Sequence, residues 1–110
     1  MPKKIAIFVP PDATVHIDRI DRATDELKQI LHETSSATVK SFFKIADAID
    51  WTSANGDESG AIYFMAEAPE AVTTALNRGR TVIVLTGAQA HQPIVLPRNA
   101  RGIKAAAALA

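Results

Sequence analysis

The hydrophobic positions of this chain fall into short continuous runs separated by longer segments with helical spacing. Three runs, at residues 5–9, 61–66 and 81–85, are rich in β-branched, aromatic and other apolar side chains, which predicts strands. Runs that do not alternate with polar residues are typical of strands covered on both faces, as in a parallel sheet under crossover helices. A shorter extended segment is predicted at residues 94–96, between two prolines.

Helices are predicted between these strands. Residues 17–34 place their apolar side chains on one face and most of their charges on the others. A second helix begins at Pro69, which suits the first helical position, and ends at Gly79. Asn99 is the expected cap of a last, Ala-rich helix that runs to Leu109.

Residues 37–51 are compatible with both a helix and a strand. As a helix, the segment collects Phe42, Phe43 and Ile45 on one apolar arc, away from Lys40 and Lys44. As a strand, it leaves Phe42 among the lysines. We therefore predict a helix over residues 37–49, with a strand as the alternative.

These elements predict one domain spanning residues 1–110, a compact three-layer α/β domain with a small, mostly parallel sheet of three or four strands. The alternative is an α+β ferredoxin-like βαββαβ sandwich in which residues 38–50 form the second strand. Residues 60–84 resemble the third strand, second helix and fourth strand of RNA-recognition motifs. At the aromatic positions of that family's RNP1 motif, Ala61 and Ala66 stand where aromatic residues are expected and only Tyr63 matches.

Charge and composition narrow the classes of function. Twelve basic residues balance twelve acidic ones, so the basic excess typical of nucleic-acid binding is missing and no nucleic-acid partner is expected. There is no cysteine, which excludes disulfides, thiolate metal sites and a cysteine nucleophile. The three histidines do not have metal-ligand spacing, and no motif marks a cofactor, so neither a metal nor a cofactor is expected. No apolar stretch is long enough to span a membrane, and a cytoplasmic location is expected.

Polar residues that follow the predicted strands form the candidate ligand site. In a parallel sheet, ligands bind beyond the carboxyl ends of the strands, where side chains after different strands converge. The site predicted in this way consists of Asp12, Thr14, Glu67, Thr86, Gly87, Gln89 and His91. Each of them also has a structural interpretation, since Asp12 and Thr14 are suitable helix caps and Gly87 suits a turn.

Three functions are compatible with these residues. The first is a non-catalytic binding or protein-interaction module that self-associates as a dimer, because the chain is neutral and ends in an Ala-rich segment. The second is a small enzyme or a domain that binds a nucleotide-type small molecule at the carboxyl ends of the strands. The third is an RNA-binding ferredoxin-like module that uses Tyr63 and Phe64 on an open sheet face. No catalytic residue is assigned.

Overall fold

The computed structural model describes residues 4–11, 17–53, 60–66, 68–86 and 95–108. In these ranges the elements follow one another in the order β1 (Lys4–Phe8), α1 (Ile17–Thr34), β2 (Thr38–Phe42), α2 (Ile45–Ser53), β3 (Ala61–Phe64), α3 (Pro69–Asn77), β4 (Thr81–Thr86), β5 (Val95–Pro97) and α4 (Ala100–Ala108).

The strands form a single sheet in the order β2-β1-β3-β4-β5. All four neighbouring pairs are parallel, and the central pair aligns Ile5 with Ala61 and Phe8 with Phe64. This is one of the two strand orders common in doubly wound sheets. The prediction of an α/β domain with a parallel sheet is therefore confirmed, whereas the ferredoxin-like alternative is not adopted.

Alternate residues of each strand enter two separate cores, which makes the domain three-layered. One core lies under α1 and α4 and takes Ile5, Ile7 and Tyr63 from the sheet. The other lies under α2 and α3 and takes Phe8, Phe64 and the remaining inward positions. Because both faces of the central strands are buried, their runs are continuously apolar, as predicted.

The segment from residue 37 to residue 53 corrects one prediction. Residues 38–42 form strand β2, and the helix begins only at Ile45. The helical interpretation predicts that Phe43 is buried, but this side chain is 66% exposed. The β-branched residues Thr38 and Val39 instead pair with β1 at the edge of the sheet. The prediction of a helix is therefore wrong for residues 37–44 and right for residues 45–49, and the sheet gains a strand.

The last helix is packed on its own domain. Ile103, Ala106 and Ala107 of α4 are buried against α1 and the sheet. The hydroxyl of Tyr63 in β3 donates a hydrogen bond of 2.8 Å to the carbonyl oxygen of Ala106. This core contact supports a short helix that would be marginal in isolation.

Candidate functional site at the carboxyl edge of the sheet

Because every strand runs in the same direction, the carboxyl ends of all five lie at one edge of the described sheet. We call this the carboxyl edge, defined by residues 9–11 after β1, 43–44 after β2, 65–66 after β3, Thr86 at the end of β4, and 98–99 after β5. The chain leaves β1 towards the outer strand β2 and later returns to β3 on the other side of β1. Such a reversal of strand order opens a crevice between the two strands, and α/β proteins bind their ligands there.

Backbone hydrogen bonds continue beyond the ends of the strands on both sides of β1. The Val9 amide donates to the Phe42 carbonyl at 3.0 Å, and the Met65 amide donates to the Phe8 carbonyl at 3.0 Å. Val9, Met65 and Ala66 are all buried. The main chain at the reversal point is therefore a fixed surface on which side chains can be positioned.

Arg98 brings a positive charge into this region from the far side of the sheet. Its backbone follows β5, but its Nη1 donates a hydrogen bond of 3.0 Å to the carbonyl oxygen of Met65, which follows β3. Strand β4 lies between β3 and β5, so the side chain crosses two strand spacings, roughly 9–10 Å. The guanidinium group thus sits beside the end of β3 and not beside its own strand.

A second arginine, Arg19, affects the pKa of Arg98. Partial burial lowers the pKa of the Arg98 guanidinium, and the positive charge of Arg19 lowers this pKa further. Arg19 lies in the first turn of α1, and Arg98 immediately precedes the cap of α4, which packs beside α1. The two arginines therefore belong to the starts of two helices that pack against each other.

The amino termini of the described helices also lie at this edge. Each of the four helices begins after a parallel strand, so its amino terminus, the positive end of its dipole, is at the carboxyl edge. The Oδ1 of Asn99 accepts a hydrogen bond of 2.9 Å from the Gly102 amide and caps α4, as predicted. Ala68 precedes α3 without any side-chain cap. The first turns of α1, α2 and α3 each contain one carboxylate, whereas that of α4 contains none.

Basic residues at the opposite edge have a structural explanation. Lys4 Nζ donates to the Trp51 carbonyl at 3.1 Å, and the buried Arg80 directs Nη1 to the Thr52 carbonyl at 3.5 Å. Both carbonyls belong to the last turn of α2, where they have no partner within the helix and where the dipole favours cations. By contrast, Arg19 and Arg98 lie at the amino-terminal ends of α1 and α4, where the helix dipole disfavours cations.

The residues of the predicted ligand site fall almost entirely outside the described part of the chain. Asp12, Thr14, Glu67, Gly87, Gln89 and His91 lie outside the described residues. Thr86 is described as the last residue of β4 and is at the carboxyl edge. Pro11, Ala66 and Ala68, the described chain neighbours of Asp12 and Glu67, are at the same edge. Their convergence into one site stays a prediction.

The sequence prediction of the site included neither Arg19 nor Arg98. The rule that selected Thr86, a polar residue directly after a parallel strand, also applies to Arg98, which follows β5. The hydrogen bond from Arg98 to Met65 has no sequence signal, because it joins residues 33 positions apart.

The described residues offer few other candidate functional groups. Among them, no group of three His, Asp or Glu side chains is placed to hold a metal ion. No helix within the described ranges is long and apolar enough to cross a membrane. Tyr63 and Phe64 are fully buried, one in each core, so their rings are not available for stacking on RNA bases.

Comparison of the chain with protein-family models, with curated proteins and with solved structures gives no significant match.

Proposed function

We propose that this protein binds a small molecule at the carboxyl edge, in the crevice between β1 and β3. The observation that carries the proposal is the path of Arg98, whose side chain reaches from the end of β5 to the carbonyl of Met65 after β3. A guanidinium group brought across the sheet to the reversal point supplies the kind of convergent polar group that small-molecule sites use. The all-parallel order β2-β1-β3-β4-β5 supports the same location.

The test combines a screen with two steric blocks. A library of anionic, neutral and cationic small molecules is screened for an increase in melting temperature, because a ligand of the folded state stabilises it by mass action. Each hit is then titrated against Pro11→Trp, which adds a bulky group at the exposed end of β1, and against Asn77→Trp, its control at the opposite edge. We expect binding to be lost in Pro11→Trp and kept in Asn77→Trp. A screen without hits, or equal losses in both variants, would contradict the proposal.

A second proposal is that the chain self-associates as a dimer, and one exposed side chain favours it. Phe43, at the end of the edge strand β2, is 66% exposed, more than Ile17 or Leu76. Lys40 is exposed on the same strand, and an edge lysine opposes pairing with another strand. The contact between copies therefore uses Phe43 and not strand addition.

Sedimentation velocity over a range of concentrations tests the dimer. The expected result is a dimer that Phe43→Ser dissociates and Leu76→Ser leaves intact, since Leu76 is exposed on α3, away from β2. A monomer at every concentration would contradict self-association. Dissociation by both variants would contradict the role of Phe43.

A further inference from the structure

Two arginines at the carboxyl edge suggest a class of ligand. We infer that Arg19 and Arg98 together bind the phosphate group of a phosphorylated small molecule; the inference rests on the proposed function of the same edge. An arginine offers planar N–H donors that match the oxygens of a phosphate, and two of them can hold one phosphate from different sides.

The placement of the two arginines carries this inference. Arg19 is the third residue of α1, and Arg98 precedes the cap of α4, two helices that pack side by side on one face of the sheet. At the amino terminus of a helix a cation is disfavoured by the dipole and an anion is favoured. A bound phosphate offsets the unfavourable interaction of each arginine with a helix dipole, because its negative charge neutralises the arginines and is itself favoured at helix amino termini.

The hydrogen bond to Met65 prepares Arg98 for this role. It fixes the guanidinium at the crevice through Nη1, one of five N–H donors of the group. Arg98 is also partly buried, so an anion that reaches it meets a charge that water screens only in part. The basic residues Lys4 and Arg80 at the opposite edge do not compete for the phosphate, because they donate hydrogen bonds to carbonyls of α2.

The chain contains matched controls for both arginines. Arg22 is one turn after Arg19 on α1 and is exposed, and Arg101 is exposed three residues after Arg98 on α4. Arg22→Gln and Arg101→Gln therefore remove the same charge from the same part of the molecule without removing Arg19 or Arg98.

Isothermal titration with pyrophosphate, at low and at moderate salt, tests the inference in the whole chain. We expect wild-type protein to bind pyrophosphate and Arg19→Gln and Arg98→Gln each to weaken it at least tenfold, which corresponds to about 1.4 kcal/mol. Arg22→Gln and Arg101→Gln should change the affinity less than threefold. Circular dichroism confirms that each variant is folded, and Arg98→Lys, which keeps the charge but loses the planar donors, should restore binding only in part.

Three outcomes would overturn the inference. The first is equal weakening by all four glutamine variants, which would show attraction by overall charge. The second is the absence of wild-type binding. The third is binding that appears only after Asp12→Asn or Glu67→Gln, which would show that the arginines are neutralised by the chain's own carboxylates. If a neutral or cationic compound binds and Pro11→Trp blocks it while pyrophosphate does not bind, the inference fails and the proposed function stands. If no compound shows this dependence on the edge, both fail.

Discussion

The hydroxyl of Tyr63 and the carbonyl oxygen of Ala106 are 2.8 Å apart and joined by a hydrogen bond. Tyr63 lies in the central strand β3 and is fully buried, whereas Ala106 lies in the last turn of α4. Carbonyls of a last helical turn have no partner within the helix. The sheet thus supplies from its interior a hydrogen-bond donor to the last described turn of the helix.

Removal of this hydroxyl should destabilise the protein. Tyr63→Phe keeps the ring in the core but leaves the buried Ala106 carbonyl without its donor, at an expected cost of about 1–3 kcal/mol. Urea denaturation followed by circular dichroism measures the change. A Tyr63→Phe variant as stable as the wild type would show that the bond contributes nothing net.

Tyr63 should also make the stability of the protein depend on pH in the alkaline range. Burial raises the pKa of Tyr63 from 10.0 to about 12. The unfolded chain therefore releases this proton at a lower pH than the folded chain, so the contribution is complete below pH 10 and is lost as the pH rises to about 12. The advantage in unfolding free energy of wild-type protein over Tyr63→Phe should shrink across this interval. Tyr63 is the only tyrosine, so tyrosinate absorbance reports its pKa directly. A midpoint near pH 10 would contradict the burial argument.

Gly79 is required for its backbone conformation. It has a φ of 73° and follows α3, where its amide donates to Leu76 and that of Arg80 donates to Ala75. This is the Schellman pattern that ends many helices. A Cβ would meet nothing within 4 Å, so only the left-handed conformation opposes a side chain. Gly79→Ala should cost about 1–2 kcal/mol, and Gly79→Asn less, by thermal or urea unfolding. Equal stability of all three proteins would contradict this explanation.

Gly60 is required because there is no room for a side chain at this position. A Cβ there would lie 2.6 Å from the Cβ of Thr52 and 2.9 Å from its carbonyl oxygen. Thr52 cannot easily yield, because it is fully buried and its hydroxyl donates to the Ala48 carbonyl at 2.8 Å. Gly60→Ala should therefore cost about 1–3 kcal/mol. Gly60→Ser should cost at least as much, unlike the polar substitution at Gly79. A loss below about 0.5 kcal/mol, the range of an ordinary surface substitution, would show that the backbone adjusts.

Much of the fold follows from local patterns in the sequence. The continuous apolar strands indicate a sheet buried on both faces, and Pro69 and Gly79 mark both ends of α3 as predicted. The edge strand β2 is the exception. It is covered less than the central strands, and its adjacent Phe42 and Phe43 imitate helical spacing. Its pairing with β1 is a long-range contact, which a local pattern does not contain.

The candidate site was predictable in location and not in composition. Thr86, the one predicted site residue that the structure describes, lies at the carboxyl edge as the parallel strands require, and its role in binding stays a prediction. Arg98 was missed because its guanidinium lies two strands away from its own backbone, beside Met65. The position of a side chain as long as that of arginine depends on tertiary contacts and not on sequence spacing.

A map of amide chemical-shift changes on titration with the strongest hit of the small-molecule screen tests the central claim most directly, because it shows where a ligand binds. We expect the changes to cluster at the carboxyl edge, at Val9, Met65 and Asn99, and to disappear in Arg98→Gln. At the opposite edge, Ser53 and Gly79 should keep their shifts. Changes that cluster at Ser53 and Gly79, or changes at the carboxyl edge that persist in Arg98→Gln, would contradict the account.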